Sequence, residues 1–327
     1  MQEQRGESMG IPVDRRRGHW TDALYDLDDV IAIWIAARVV GRDRLVVVSA
    51  DDPGGRRARV LRAFLDGLGR EDARVVAGSE LPGSPQRFVL PDYLVPDISS
   101  GAVESAVVDA LVDLCEQAEP IVVGMAPLTD VARVLVARPD LAEAITLVQM
   151  GGWLDAYRCM SRASHKLRLD RAAAGLVLRM VPAPRLLLST HTNDAGLRLT
   201  PDSPLMGWLT GPDSPPETAV VAANAAGWFA RRPSSTVGDR SWRPGSWMAD
   251  PLALAWALGV PGVVESAAET IHIAADARMY RVPRGASVEV STRIDLIAFH
   301  TWMSRCLPGA HKIPDTTTES ACTEALR

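Results

Sequence analysis

Little in this sequence points toward a membrane, a nucleic-acid polymer or a metal–thiolate cluster. Its four cysteines, Cys115, Cys159, Cys306 and Cys322, are widely scattered and form no CxxC pair. That argues against a zinc cluster or a disulfide framework. The longest apolar stretches, such as residues 30–40, are too short and too interrupted to span a bilayer. No basic stripe appears and basic residues are not interleaved with aromatics, which argues against a nucleic-acid partner. The start, residues 1–17, is polar and charged with no apolar segment, so no secretory signal is expected and the expected compartment is the cytoplasm. There is no internal repeat.

What remains is the composition of a globular chain. Of 327 residues, 47% are apolar and 23% charged, with a mild net charge of -5. That length is ample to bury a large core. Residues 1–16 and 310–327 lack periodicity and read as disordered tails, leaving residues 17–309 as one domain. Within it, apolar strand-like runs alternate with amphipathic helical patterns, the signature of an α/β domain whose mostly parallel sheet is flanked by helices. Strands are expected at 46–48, 73–77, 121–123, 145–149 and 186–189, and helices at 30–37, 55–68, 101–117, 128–137 and 218–230. The stretch 210–243 is rich in Pro, Gly and Ser around that last helix and could serve as a lid or an oligomer contact.

The segment Thr21-Asp22-Ala23-Leu24-Tyr25-Asp26-Leu27-Asp28-Asp29 carries the most chemistry. It packs four carboxylates ahead of an apolar helix. Carboxylates repel one another, and burying them costs free energy unless a cation neutralises them. Oxygen ligands at this density suit calcium or magnesium. A solvated acidic turn whose Asp28 and Asp29 favour the positive end of the helix is the plainer alternative.

This segment resembles the Asp-rich amino-terminal signature of the calcium-dependent, inosine-uridine preferring nucleoside hydrolases. Three further segments match that family in order: Gly124-Met125-Ala126-Pro127-Leu128-Thr129-Asp130, Met150-Gly151-Gly152 and Ala249-Asp250-Pro251-Leu252-Ala253. A weaker echo is Ser164-His165-Lys166-Leu167-Arg168-Leu169-Asp170. The resemblance covers about residues 18–308 and implies a Rossmann-like core. It implies Asp22 as catalytic base and metal ligand, and Asp29, the Thr129 carbonyl and Asp250 as further calcium ligands. Asp26 or Asp28 matches the position that grips sugar hydroxyls. The expected chemistry is hydrolysis of an N-glycosidic bond by a calcium-bound water that Asp22 deprotonates. A small nucleoside-like substrate and a homodimer or homotetramer are expected with it.

Departures from the family pattern fall in the sugar and base pocket. Trp20 replaces the first Asp of the signature, and Ala249 replaces the His before the distal Asp, which can neither protonate nor stack against a leaving base. Ser164 and Lys166 stand where Glu and Asn are usual, and only Asp51 or Asp52 matches the asparagine after the second strand. Lys166 is long enough to reach a sugar oxygen or a phosphate, and equally suits a solvated loop. Trp153 and Trp247 lie where a base could stack, whereas Trp20, Trp34 and Trp256 read as core. Tyr25 either faces substrate or packs. His165 and His191 are candidate acids, though a lone His near a strand end is more often structural. The expected function is a divergent N-glycoside hydrolase. The alternative is a catalytically altered protein on the same scaffold, either binding without turnover or performing a different reaction.

Overall fold

Valine-rich runs bounded by turns are too short for helices and rich in β-branched residues, so they form buried strands. In the computed structural model the residues described are 17–21, 23–96, 103–104, 106–117, 120–154, 161–212, 214–231 and 245–307. Both expected tails, and Asp22, lie outside them. The first half of the chain alternates strands β1 (Arg17–Thr21), β2 (Leu45–Ser49), β3 (Arg74–Ala77), β4 (Ile121–Met125), β5 (Thr146–Met150) and β6 (Arg185–Leu187) with helices α1 (Leu27–Val39), α2 (Arg56–Gly67), α3 (Val107–Gln117), α4 (Thr129–Ala137), α5 (His165–Leu169) and α6 (Arg171–Met180). The second half adds α7 (Ser189–Thr192), β7 (Arg198–Leu199), α8 (Pro204–Leu209), α9 (Ala219–Ala230), β8 (Ser246–Trp247), α10 (Ala249–Ala257), β9 (Val264–Ile273), β10 (Met279–Arg281), β11 (Ala286–Ile294) and α11 (Leu296–Cys306).

Nine strands form one sheet in the order β10-β9-β11-β6-β5-β4-β1-β2-β3, and β7 and β8 form a separate two-stranded ribbon. From β3 to β11 every pairing is parallel; β9 joins β11, and β10 joins β9, antiparallel. Alternate side chains feed two cores. Val47, Val75, Val123 and Val148 pack with α1, α2, α10 and α11, while Val46, Val48, Val76 and Val122 pack with α3, α4 and α6. The architecture is thus an α/β domain with a mostly parallel sheet and helices on both faces. The chain runs outward from β1 through β2 to β3, then returns to the other side of β1 at β4. The winding therefore reverses at the carboxyl ends of β1 and β4, the crevice position at which sheets of this topology take their ligands.

Two helices beside that crevice are apolar on every side beyond the aspartates of their first turns. Residues 27–37 of α1 and all of α10 are buried, as helices without a solvent face must be. At the end of β5, Gly151 and Gly152 adopt φ of 126° and 103°, which side chains rarely tolerate. A Cβ on Gly152 would also stand 2.4 Å from Met279. This turn lets the Gly152 N–H donate to Ser164 Oγ at 2.7 Å, which sets the start of α5 over the strand ends.

Several boundaries differ from the sequence reading. The helix expected at 101–117 begins at Val107, because Glu104 instead bridges Val76 at the sheet edge and pairs its carboxylate with Arg74 at 2.8 Å. Ser189 opens α7 rather than extending β6. The long hairpin of β9 and β11 had no apolar run to announce it, because β9 is exposed over most of its length.

Candidate functional site

The aspartate segment connects β1 to α1 at the crevice, held by main-chain contacts. Leu24 is fully buried with φ of 72°, and its carbonyl accepts from the Val89 N–H at 3.0 Å. The Ala23 carbonyl accepts from the buried Arg57 guanidinium. Asp26 caps α1, accepting from the Leu27 N–H at 2.7 Å and from the Ser246 hydroxyl. Asp28 and Asp29 follow in the first turn of α1, and both are buried. Asp250 lies in the first turn of α10, fully buried, and its N–H donates to Asp28 Oδ2 at 3.2 Å. One oxygen from each of Asp28, Asp29 and Asp250 falls within 4.8 Å of the others, an arrangement that could hold a metal ion.

Two helix amino termini point their positive ends into this cluster. They offset only part of the cost of three buried carboxylates. Burial pushes the Asp28 carboxyl well above the usual carboxylate range, and the neighbouring Asp26 and Asp29 push it further; the Lys166 ammonium and the Asp250 N–H act in the opposite direction.

The compensating charge is Lys166, from α5. Its side chain is buried, and Nζ stands 2.5 Å from each carboxylate oxygen of Asp250 and 3.9 Å from Asp29. An ammonium grips both oxygens of one ligand and faces a second. A divalent ion in the same set would have to share the Asp250 oxygens with that ammonium and would be repelled by it. The donor set suits a hard cation, but with Lys166 in this position calcium does not fit beside it.

The other candidates are placed as follows. Asp22 follows β1 directly in the chain but lies outside the described residues. The Thr129 hydroxyl donates to Asp170 at 2.8 Å, and Asp170 in turn caps α6 through the Ala173 N–H. Ala249 is buried at the start of α10, beside Asp250. Trp153 is half-buried just beyond the glycine turn. Trp247 is half-buried in β8, with Arg198 over its ring at 5.7 Å and its indole nitrogen buried without a hydrogen-bond partner. Trp34 and Trp256 are core, as expected. Asp51 and Asp52 are both consumed by structural contacts. Asp51 accepts from Arg87 at 2.5 and 2.7 Å and from Ser84, while Asp52 accepts from Ser49 and from the Arg57 and Ala58 N–H groups that open α2.

His191 sits 2.8 Å from Ser291, and burial lowers its pKa. His165 instead stacks on Tyr25, with ring centroids 6.2 Å apart. Tyr25 also meets Trp228 edge-on at 5.2 Å and Arg231 at 4.7 Å, so α9 is tied to the aspartate loop. Asn224 of α9 completes that tie by donating to the Tyr25 carbonyl at 3.3 Å. Trp228, Arg231, Asn224 and Ser246 escaped the sequence reading. Only the apolar pattern of α9 hinted at a segment folding over the site.

The family model described as inosine-uridine preferring nucleoside hydrolase matches residues 21–301 of this chain. Among solved structures, a plant nucleoside hydrolase superposes with a TM-score of 0.68 at 15% identity, covering 89% of this chain and 98% of its own. The purine-preferring ribonucleoside hydrolase from Gardnerella vaginalis gives 0.66 at 19% identity, covering 90% and 99%. The type III effector protein XopQ, in complex with adenosine diphosphate ribose, gives 0.64 at 17% identity, covering 92% and 95%. No curated protein sequence gives a significant match.

Proposed function

Because the chain belongs to the inosine-uridine preferring nucleoside hydrolase family, we propose that it is a hydrolase of N-glycosyl compounds, acting on a small nucleoside or related N-riboside at the crevice beyond β1 and β4. The observation that carries this reading is the buried group of Asp28, Asp29 and Asp250 at that edge. Three carboxylates are costly to keep there without a task.

Hydrolysis here needs three things from the protein. A base must take a proton from the attacking water, and Asp22, next in the chain after β1, is our assignment. Negative charge must face the oxocarbenium-like sugar as the bond to the base breaks, and Asp26 and Asp28 supply it. The third requirement is orientation of the sugar hydroxyls, a task we assign to Asp28, Asp29, Asp250 and Lys166, and to the carbonyl of Thr129 at the start of α4. Trp153 and Trp247 are assigned to the face of the leaving base. Calcium, when bound by such a carboxylate set, would activate water and hold the diol. The ammonium inside the set stands against calcium in this chain, so its own residues carry the chemistry.

Ala249 supplies no proton to the departing base. The favoured substrates are therefore ribosides whose leaving group departs as a stable anion. We assign the chain one domain over residues 17–309, a cytoplasmic location and a homodimer or homotetramer, as the sequence reading expects. A second reading, binding of a riboside without turnover, is favoured by the same alanine and draws on the XopQ complex with adenosine diphosphate ribose.

One assay separates the two readings. Nitrophenyl riboside, inosine and uridine are incubated with the protein, and free nitrophenol, base and ribose are measured. Cleavage of the nitrophenyl riboside well above that of inosine, abolished in Asp22→Asn, is expected. General acid help contributes about 10²–10⁴ in rate, so Ala249→His should raise inosine cleavage and leave the activated substrate nearly unchanged. Riboside binding by calorimetry with no product from any substrate would establish the second reading.

A further inference from the structure

We propose that Lys166 is the resident cation of this site, a tethered ammonium standing where the rest of the carboxylate set would otherwise require a divalent ion. The proposal rests on the reading of the crevice as the functional site, not on turnover.

Three observations meet at this residue. Lys166 is buried, and a lysine is seldom buried without a task or a partner. Its Nζ contacts both oxygens of Asp250 at 2.5 Å and reaches toward Asp29 at 3.9 Å, so it contacts two members of the only three-carboxylate group of metal-binding geometry found among the described residues. Its placement is built rather than incidental. The start of α5 is fixed by the bond from Gly152 to Ser164, two residues ahead of Lys166, and that bond depends on a turn only glycine can make.

An ammonium differs from a metal ion in what it can do. It donates three hydrogen bonds and holds a fixed place in the chain, so it neutralises and positions. It cannot bind a water as a Lewis acid does. The site is therefore complete on synthesis, is indifferent to chelators, and leaves water activation to a carboxylate.

Divalent-ion binding tests this without any substrate. The wild type, Lys166→Asn and Asp250→Asn are stripped of metal, then followed by thermal unfolding with and without calcium and by terbium luminescence sensitised through the chain's tryptophans. The wild type should show no change in Tm with calcium or chelator and no saturable terbium signal. Lys166→Asn should be destabilised in chelator and regain about 5 °C or more with saturating calcium, and terbium should bind it. A wild type that binds terbium, loses that signal in Asp250→Asn and is stabilised by calcium would overturn the proposal. So would a folded Lys166→Asn that ignores both ions. If Lys166→Asn does not fold, the wild-type titration against Asp250→Asn still decides. A metal-indifferent wild type that cleaves no riboside sinks the hydrolase reading alone, whereas a calcium-dependent hydrolase sinks only the role of Lys166 as resident cation.

Discussion

Two buried aspartate groups lie at the same edge of the sheet, and they are neutralised in opposite ways. Asp51 and Asp52, after β2, face two guanidinium groups, Arg57 and Arg87, and every carboxylate oxygen has a donor. Asp28, Asp29 and Asp250 share one ammonium. The first group is balanced and closed, as a structural brace should be. The second sets three carboxylates against one ammonium, which suits the proposed role of facing a cationic sugar transition state.

The largest expected effect comes from breaking the brace. Arg57 is fully buried and donates to the carbonyls of Ala23, Asp51 and Arg87 while facing the Asp51 carboxylate. Arg57→Met should cost about 3–5 kcal/mol, the range for removing one partner of a buried pair, read by urea unfolding. Calcium should restore nothing, unlike the loss in Lys166→Asn. A calcium-rescued Arg57→Met would erase the distinction between the two groups.

Charge balance also sets the next comparison. Removing a carboxylate from the balanced group should hurt more than removing one from the overcharged group. Asp51→Asn leaves Arg87 without its counter-charge and Arg57 with Asp52 alone, and should cost about 2–3 kcal/mol. Asp250→Asn takes away a like charge while Asp29 remains near Lys166, and should cost about 1 kcal/mol or less. Equal losses in the two variants would mean that Lys166 depends on Asp250 alone.

This contrast also marks what could be read in advance. The five parallel strands expected from the sequence stood out because burial on both faces demands continuous apolar runs such as Val46-Val47-Val48. β9 did not, since an edge-side strand bearing Glu265, Ser266 and Thr270 on exposed positions has no such demand. The density of Asp28 and Asp29 ahead of an apolar helix marked the site, and resemblance supplied Asp250, which stands 222 positions after Asp28. The role of Lys166 was hidden. Nothing local distinguishes a lysine that will be buried against Asp250, 84 residues away, from one that will be solvated. For the same reason Asp51 and Asp52 passed as candidates for an asparagine of the pocket, because Arg57 and Arg87 declare their purpose only in the fold.

The smallest expected effect lies at the opposite edge of the sheet, where a third aspartate is paired near the surface. Asp72 accepts from Arg70 at 2.9 Å through both oxygens and from the Asp43 N–H at 2.8 Å. Chiefly through the Arg70 bond, its carboxyl is lowered to about 2. Arg70 does further work by donating to the carbonyls of Val40 and Gly41, just past the end of α1, at 3.0 and 3.2 Å. Those bonds survive in Asp72→Asn, so the drop in Tm at neutral pH should be only about 2 °C. The sign of its pH dependence follows from the lowered pKa. Stability from this group is fully present above the unfolded carboxylate value, about 3.9, and is lost as pH falls through about 2. The gap between wild type and variant should therefore hold from pH 7 to about 4 and narrow as pH approaches about 2. A gap that stays constant down to that pH would show that Asp72 acts through packing, and that charge balance governs only the buried edge.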